Sequence, residues 1–417
     1  MSKLMSWVDD RFPATKVWEE HLARYYAPKN FNFWYYFGSL AIVVLVLQIL
    51  TGIFLTMHYK PDSELAFASV EYIMRDVPWG WLMRYMHSTG ASAFFIIVYL
   101  HMFRAMLYGS HRNPRELVWL IGCIIYVALM AESFMGYLLP WGNMSYWGAQ
   151  VIISLFSAIP LVGDGLAEWI RGDFVISDAT LNRFFAFHVI LVPLVLAALV
   201  FLHIVALHKV GSNNPDGIEI KKNKDENGIP VDGIPFHPYY TVKDIVGIVF
   251  FLILFSLVLF FLPEFFGIFL EKDNFTPANP LQTPEDIVPL WYFTPYYSIL
   301  RANTVDFFWV EAKLWGVIFM GLAIVMFFLL PWLDRSPVKS IRYRGIQYKV
   351  WLTMFVISFV LLGYLGLKNP NNVDLLLFKN VTWAQILTII YFLFFLLMPF
   401  YSKADKTKLE PERVSFK

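Results

Sequence analysis

The sequence has little cysteine and little charge. Its 417 residues include one cysteine, Cys123, and only 16% are charged, against about 25% in an ordinary soluble domain. A single cysteine excludes a disulfide framework and thiolate clusters, so any metal needs other ligands. The low charge, together with 58% hydrophobic residues, excludes a water-soluble fold. The net charge of +1, without blocks of like charge, excludes the electrostatic pattern of a nucleic-acid binder.

Long hydrophobic runs, in contrast, are plentiful. Crossing about 30 Å of hydrocarbon takes roughly 20 residues in a helix. Eight runs reach that length: 34–57, 81–107, 117–139, 184–207, 245–262, 310–332, 350–367 and 384–401. Aromatic residues make up 18% of the chain, which is typical of a protein with lipid-facing and interfacial surface. The sequence therefore predicts an all-α integral membrane protein with eight transmembrane helices.

Lysine and arginine are distributed unevenly between the loops. The two terminal segments and the loops on their side of the membrane hold 22 of them, and the opposite loops hold seven. The positive-inside rule then predicts that both termini are cytoplasmic. The outer loops 140–180 and 263–305 are rich in Trp, Tyr, Phe and Pro, which indicates helices lying on the membrane surface. We expect the chain to divide after the fourth span, into 1–208 and 209–417.

Four histidines lie within the hydrophobic runs, His87 and His101 in the second and His188 and His203 in the fourth. Intervals of fourteen and fifteen residues place the two rings on each helix about 21–22 Å apart on similar faces. Spans two and four run in the same direction, so the histidines meet in pairs at an outer and an inner level. Two imidazoles underfill a zinc site but complete a haem iron. One such histidine more often bonds between helices, whereas two matched pairs favour two haems.

Glycines in the neighbouring spans repeat this spacing. Two pairs are fourteen residues apart, Gly38 with Gly52 in span one and Gly122 with Gly136 in span three. Any one of them is explained by helix packing, but the shared interval favours a four-helix bundle with a flat cofactor at each level. Arg84 and Arg104 lie near the paired histidines and are candidates for binding haem propionates. Snorkelling to the membrane surface is the competing explanation for both arginines.

At this point the residues resemble cytochrome b, the haem-bearing core subunit of the ubiquinol:cytochrome c oxidoreductase complex. The similarity covers almost the whole chain. It rests on the strings GYLLPWG at 136–142, MSYWGA at 144–149, RFFAFH at 183–188, GSNNP at 211–215 and PANPL at 277–281. Eight fused spans are typical of the bacterial respiratory type, whereas the similar photosynthetic complex divides this region between two chains.

The resemblance implies a reaction as well as a fold. It implies a low-potential b-type haem at His87 and His188 and a high-potential one at His101 and His203. Quinol would be oxidised at an outer site, passing one electron to a Rieske iron–sulfur protein and then a c-type cytochrome. The other electron would cross the two haems to reduce quinone at an inner site, in a proton-motive quinone cycle. The resemblance also implies a homodimeric complex in the bacterial inner membrane, in contact with lipid.

The inner quinone pocket is assigned by resemblance alone. His208 and Asp244 would bond the two quinone carbonyls, with Lys243 and Asn213 assisting. Reduction to quinol takes up two protons, which such side chains can relay. The alternative is an interfacial charge cluster that anchors the helix ends.

The outer pocket departs from the family pattern. Many members carry Pro-Glu-Trp-Tyr in the loop between spans five and six, and the glutamate is proposed to accept a quinol proton. Here the string is Pro289-Leu290-Trp291-Tyr292, and Leu290 cannot do acid–base chemistry. Pro289, Trp291 and Tyr292 can still shape the pocket, and Gly148 allows a close approach from the opposite wall.

A proton acceptor must then be found elsewhere. Glu132 lies in the third span, four residues before Gly136 and on the same helical face. An ionisable residue within the bilayer is a functional candidate, although a protonated glutamate bonded between helices is the structural alternative. Glu264, at the outer end of span five, is the second candidate.

The fifteen-residue interval between His188 and His203 is a second departure, because respiratory members often use fourteen on both helices. Pro193 lies between the two histidines and removes a backbone hydrogen bond. We therefore expect the extra residue to be absorbed as a local helical bulge.

Two other functions compete with this interpretation. A transporter without redox cofactors would explain isolated intramembrane His and Glu, but not four histidines at two levels. A dihaem anchor of a dehydrogenase or hydrogenase needs only about four helices, so spans five to eight count against it. The chain has no ligands for an iron–sulfur cluster and no Cys-x-x-Cys-His, so we expect activity only with partner subunits.

Overall fold

The structure is a computed structural model that describes residues 3–19, 23 and 25–415. It is almost entirely helical. The α-helices in chain order are α1 (Lys3–Asp9), α2 (Ala14–Trp18), α3 (Tyr36–Thr56), α4 (Ala66–Arg75), α5 (Gly80–Tyr108), α6 (Glu116–Leu138), α7 (Asn143–Phe156), α8 (Gly163–Arg171), α9 (Asp178–Ala186), α10 (Val192–Val210), α11 (Tyr239–Phe261), α12 (Thr294–Arg301), α13 (Ala312–Leu333), α14 (Ile346–Gly366), α15 (Asn380–Leu396) and α16 (Met398–Ala404). Short 3₁₀ turns occupy Phe33–Tyr35, Ile220–Lys222 and Lys272–Phe275.

The predicted membrane spans are present. Seven helices of the described chain are long and apolar enough to cross a bilayer, and α15 with α16 forms an eighth span that is bent by 59°. The bend follows from Pro399, at the start of α16, because proline has no backbone N–H to continue the hydrogen bonds of α15. The fourth span is one continuous helix, Asp178–Val210, in which α9 and α10 are joined by π-helical Phe187–Leu191.

The first four spans form the predicted four-helix bundle. α3 packs along α5, and α6 packs along α10. α5 and the fourth span face each other across the bundle at two points, where His87 meets His188 and His101 meets His203. The outward faces of α10 and α11 carry exposed apolar side chains such as Phe201, as expected for helices that contact lipid.

The second four spans pack against this bundle rather than apart from it. One hydrophobic core contains residues of both halves, such as Trp119 and Phe327. The Trp119 indole donates a hydrogen bond to the Phe327 carbonyl, at 2.7 Å. The division into 1–208 and 209–417 therefore stays a prediction about the organisation of the chain.

The connections gather at the two ends of the bundle. At one end, α7 and α8 cover a separate hydrophobic cluster, and an isolated bridge joins Gly142 to Pro277, so that the two predicted outer loops touch. Short helices in these loops, α7, α8 and α12, match the expectation of surface helices. At the other end, β1 (Tyr26–Pro28) pairs antiparallel with β2 (Gly233–Pro235).

Candidate functional site

Two pairs of histidines face each other inside the bundle. The ring centroids of His87 and His188 are 6.1 Å apart with an interplanar angle of 89°. Those of His101 and His203 are 6.4 Å apart at 57°. Two imidazoles that bind one metal atom at about 2 Å through a nitrogen each have ring centres separated by about 6 Å. Each pair is therefore spaced to hold one metal atom between its rings.

The predicted glycines lie directly against these histidine rings. A methyl group added at Gly38 or Gly52 of α3 would meet the ring of His101 or His87, at 3.4 and 3.3 Å. Methyl groups added to the glycines of α6 would meet the two histidine rings of the fourth span. The distances are 3.2 Å from Gly122 to His203 and 2.4 Å from Gly136 to His188. Every glycine of the repeated spacing thus gives room to one of the four histidines.

A π-helical turn brings His188 and His203 into the same arrangement as the α5 pair. The turn spans Phe187–Leu191, includes His188 and lies just before Pro193. A π-turn contains one residue more than an α-turn, so it absorbs the fifteenth residue of the interval. The expected bulge is confirmed.

Arg84 and Arg104 carry buried nitrogen atoms that lack a protein partner. These atoms are Nη1 of Arg84 and Nε of Arg104, both without a hydrogen bond among the described residues. The rest of the Arg104 guanidinium lies over the ring of Tyr35, at 4.8 Å, and Nη1 donates to Ser110, at 3.3 Å. A buried cation with unused donors fits an anionic group, such as the carboxylate of a cofactor.

The outer pair has partners that orient its rings. Nδ1 of His188 is 2.9 Å from a carboxylate oxygen of Glu132 and 2.9 Å from the Glu132 carbonyl. Nδ1 of His87 is 2.9 Å from the Thr51 hydroxyl. With Nδ1 engaged in each ring, Nε2 is the nitrogen available to a metal. Glu132 thus contacts a candidate ligand, and its predicted role as proton acceptor for quinol stays a prediction.

A cavity of about 270 Å³ extends from the outer histidine pair towards the outer loops. Its walls contain residues that the sequence analysis named for the haem region and residues that it named for the outer quinol pocket. These are Gly52, Arg84, His87, Glu132, Gly136, His188, Leu290 and Tyr292. This volume is comparable to the lower end of small-molecule pockets. The walls are mainly apolar, which suits a flat, hydrophobic ligand.

The string at 289–292 forms one wall of this cavity. Leu290 is buried, and the ring of Tyr292 stacks on Phe95 with centroids 3.8 Å apart. Burial raises the pKa of the Tyr292 phenol well above its usual range, although a hydrogen bond with Ser133 opposes this, so the phenol stays protonated. Trp291 donates to the Ser92 hydroxyl, at 3.1 Å. Pro289 is only partly buried.

The sequence did not identify Tyr137 or Glu271 as site residues. Tyr137 lines the cavity, and its hydroxyl donates to Oε2 of Glu271 at 2.9 Å. Gly148 packs on the Tyr137 ring, where an added methyl would lie 3.7 Å from Cε1. The predicted candidate Glu264, in contrast, is exposed. Glu271 has the sequence signature of an ordinary loop carboxylate, and only its partial burial and its hydrogen bond with Tyr137 distinguish it.

The predicted inner quinone residues lie at the other end of the bundle. The ring of His208 stacks on Tyr25, with centroids 4.6 Å apart. The Asp244 carboxylate lies near the Ser39 side chain, and the Lys243 ammonium lies 4.5 Å from the centre of the Tyr239 ring.

Asn213 is buried and donates to the Tyr108 carbonyl, at 2.7 Å, and to the Ser110 hydroxyl, at 3.1 Å. These bonds give Asn213 a structural role beneath Arg104. Each predicted inner residue is thus held by a different partner, and the inner pocket stays a prediction.

Within residues 3–19, 23 and 25–415, no three or more His, Cys, Asp or Glu side chains come together as a metal-binding group. Each histidine pair offers two ring nitrogens to one metal atom, which suits a metal that brings four other ligands with it, as haem iron does.

Comparison with known proteins agrees with this geometry. The model of the family described as cytochrome b/b6/petB matches residues 22–211, and the model described as cytochrome b(C-terminal)/b6/petD matches residues 277–392. The chain belongs to the cytochrome b family. Members of this family bind b-type haems, and this member is a multi-pass membrane protein that serves electron transfer in a complex of the respiratory bc type.

Individual relatives match over nearly their whole length. Cytochrome b of Allochromatium vinosum is 62% identical over 416 residues, which cover 99% of this chain and 98% of the relative. Cytochrome b of Rhodospirillum rubrum is 49% identical, covering 99% and 96%. A solved chain of a hyperthermophilic respiratory complex III has a TM-score of 0.85 at 37% identity, covering 95% of this chain and 98% of that one.

Proposed function

We propose that this cytochrome b oxidises quinol at its outer cavity and carries electrons across the membrane through two haems to an inner quinone. The observation that carries the proposal is the presence of two facing histidine pairs, at 6.1 and 6.4 Å, at two levels of one bundle. A transporter without redox cofactors has no use for this arrangement.

The four histidines would hold the two haems through their ring nitrogens, and the glycines would give the histidine rings room. Bound haem supplies reversible one-electron chemistry at each level. Glu132 and Thr51 hold Nδ1 of the outer pair, which fixes the tautomer and orientation of the rings. The buried nitrogens of Arg84 and Arg104 would neutralise propionates at the outer and inner levels.

The outer cavity is the proposed site of quinol oxidation. Tyr292 and Leu290 close one wall, and Tyr137 with Gly148 closes another. Apolar walls exclude water from the ring of a bound quinol, and phenol hydroxyls provide the few polar contacts that orient it. Leu290 and Tyr292, with Phe269, Leu270 and Asn274 of the loop after α11, line one side of this cavity, which disfavours a simple four-helix dihaem anchor.

The inner end is the proposed site of quinone reduction. His208 and Asp244 would bond the quinone carbonyls and deliver protons, with Lys243 and Asn213 assisting. The loops at this end carry most of the basic residues, which supports a cytoplasmic position for it and for both termini in a bacterial inner membrane.

The proposed cycle needs partners. One electron from each quinol would leave to a Rieske iron–sulfur protein and then to a c-type cytochrome, in a complex that is a homodimer. The enzyme is thus a quinol–cytochrome c reductase in which this chain is the membrane core.

Haem content tests the proposal directly. We expect a pyridine haemochrome assay of the purified complex to give two b-type haems per chain. Redox-titrated spectra should then show that His188→Ala removes the low-potential component and His203→Ala removes the high-potential one. His58→Ala is the matched control, because His58 is near the outer surface beside Phe54 and Tyr72. A chain without haem, or variants that lose both components equally, would contradict the assignment.

A further inference from the structure

The outer cavity has an apolar side chain where the family commonly has a carboxylate. Leu290 lies on the cavity wall and is only 7% exposed, so it offers no base to a quinol. Oxidation of a quinol releases two protons, and each needs an acceptor within hydrogen-bond reach or one relay away. The proton acceptor in this chain must therefore come from another wall.

Tyr137 is a polar residue on another wall of the cavity. It lies in the last turn of α6, one residue after Gly136, and lines the cavity. Its hydroxyl donates to Oε2 of Glu271 at 2.9 Å. Gly148 lies beside the Tyr137 ring, and a methyl group added to it would be at ordinary contact distance from Cε1 of that ring. The phenol thus connects the cavity to a carboxylate behind it.

Glu271 is held in place by the loop that carries it. Phe269 and Leu270, just before it, line the cavity. Just after it, the Asn274 side chain accepts a hydrogen bond from the Ser145 backbone N–H at 3.0 Å. The loop is therefore fixed on the outer helices, and its carboxylate is fixed behind Tyr137.

The surroundings of Glu271 suit a group that gains and loses a proton. Burial raises the pKa of Glu271 to about 7, although the Tyr137 hydroxyl opposes the shift. The charged and titratable groups around the pair are Tyr137 from α6, Tyr292 from the 289–292 string and Asp273 from the same loop. The next two residues of the chain, Lys272 and Asp273, are exposed, so Glu271 lies close to the outer solvent.

The other two acidic candidates are placed less well for this task. The carboxylate of Glu132 is engaged with Nδ1 of His188, and Glu264 is exposed. The Tyr137–Glu271 pair, in contrast, combines a tyrosine that lines the cavity with a carboxylate bonded to its hydroxyl.

We propose that Tyr137 and Glu271 form the relay that takes one of the two protons of quinol at the outer site, in place of a carboxylate at position 290. The proposal rests on the proposed function. The quinol O–H bond breaks and its proton bonds to Oη of Tyr137, as the Tyr137 proton passes to Oε2 of Glu271. One electron leaves the quinol for the one-electron iron–sulfur oxidant of the complex. Glu271 then releases its proton to outer water.

Steady-state kinetics of the purified complex test the relay, with decylubiquinol as donor and cytochrome c as acceptor. In the wild type, kcat rises with pH through about 7, because only the ionised Glu271 can accept a proton. We expect Glu271→Gln and Tyr137→Phe to lower kcat by about 10²-fold, the usual contribution of a positioned base, and to abolish this rise. KM and both haem spectra should stay close to wild type.

Matched variants separate proton transfer from structure. Glu285→Gln removes an exposed carboxylate of the same loop and should change neither kcat nor the pH profile. Glu271→Asp keeps an acid and should retain the pH-dependent rise. Leu290→Glu in the Glu271→Gln background should restore much of the lost rate by returning a carboxylate to the cavity wall.

The outcomes discriminate between the two proposals. A Glu271→Gln complex with wild-type kcat and pH profile overturns the relay, as does a loss of rate with an unchanged pH profile. A wild-type complex that has no haem or does not oxidise quinol overturns the proposed function, and the relay with it.

Discussion

The difference between glycine and alanine is decisive at one residue of the haem region. At Gly136 an added methyl group would stand 2.4 Å from Cε1 of His188, whereas at Gly38 it would stand 3.4 Å from Cε1 of His101. Only the first distance forces the ring to move. Overpacking of this kind costs about 1–3 kcal/mol, so we expect Gly136→Ala to weaken binding of the outer haem about tenfold or more.

Gly38→Ala is the control for this prediction, since it makes the same chemical change at ordinary contact distance. Haem content and redox-titrated spectra of the two variants provide the measurement. Equal spectra in both variants would show that the ring of His188 can shift without loss of the haem.

At the scale of residues, the sequence identified the groups that follow a helical period and missed those that depend on burial. Spacing alone paired the histidines and matched Gly122 and Gly136 to their level, because a helix fixes direction and height per residue. Glu271 lies in a loop, where no period relates it to Tyr137, and its partner is 134 positions away in the chain. The sequence also could not show that Glu132 contacts His188.

The π-helical turn at Phe187–Leu191 is the element that reconciles the histidine spacing of the fourth span with that of the second. Deleting Ile190, whose side chain is exposed, should convert the turn to regular α-helix and leave His188 and His203 on the same face. Inserting an alanine after Leu194 adds a residue that no bulge absorbs and rotates His203 by about 100°. We expect the deletion to keep two haems and the insertion to lose the inner one.

The pyridine haemochrome ratio of the two variants checks this prediction. Leu194 is also exposed, so neither change is made at a buried side chain. Loss of a haem in the deletion variant would show that the π-turn itself, rather than the register it sets, is required for binding.

The elements themselves were predictable where hydrophobic length decides them. All eight runs correspond to spans, but the eighth is bent, because Pro399 interrupts its backbone hydrogen bonds. The fourth span begins at Asp178 rather than near 184. A hydropathy plot does not detect the polar first turns of a helix that begins before its apolar run. The outer helices were expected from aromatic content, while their contacts depend on tertiary packing.

At the scale of the whole molecule, both chain ends meet the loop between α10 and α11. Asp232 of that loop is 1% exposed and binds Lys29 near the N-terminus, at 2.8 Å, and Arg413 near the C-terminus, at 2.9 Å. Its carboxylate also accepts from the Val414 backbone N–H, at 3.2 Å. One buried carboxylate therefore joins three distant parts of the chain at the end proposed to be cytoplasmic.

Asp232→Asn should release the C-terminal tail from this end. The charge-assisted bonds to Arg413 are lost, and a segment that opens more often is cleaved faster. Tryptic removal of residues after Arg413, followed by mass spectrometry, should be at least several-fold faster in the variant. Asp225→Asn is the control, because Asp225 is exposed and accepts bonds from its own turn, at Asn227 and Ile229.

The same contact predicts a dependence on pH. Burial raises the pKa of Asp232, but hydrogen bonds from Arg413 and Lys29 outweigh it and lower the pKa to about 2. A carboxylate with a depressed pKa stabilises the folded arrangement fully above its unfolded value of about 4, and this stabilisation is lost as the pH falls towards 2. Hydrogen exchange of the tail amides, corrected for the intrinsic pH dependence, should therefore lose protection between about pH 4 and 2 in the wild type. The Asp232→Asn tail should be equally unprotected above and below that window. A wild-type tail that keeps its protection at pH 2 would show that other contacts of the tail, such as the packing of Val414 and the hydrogen bonds from Ser415 to Asp216, hold it in place without the Asp232 ion pair.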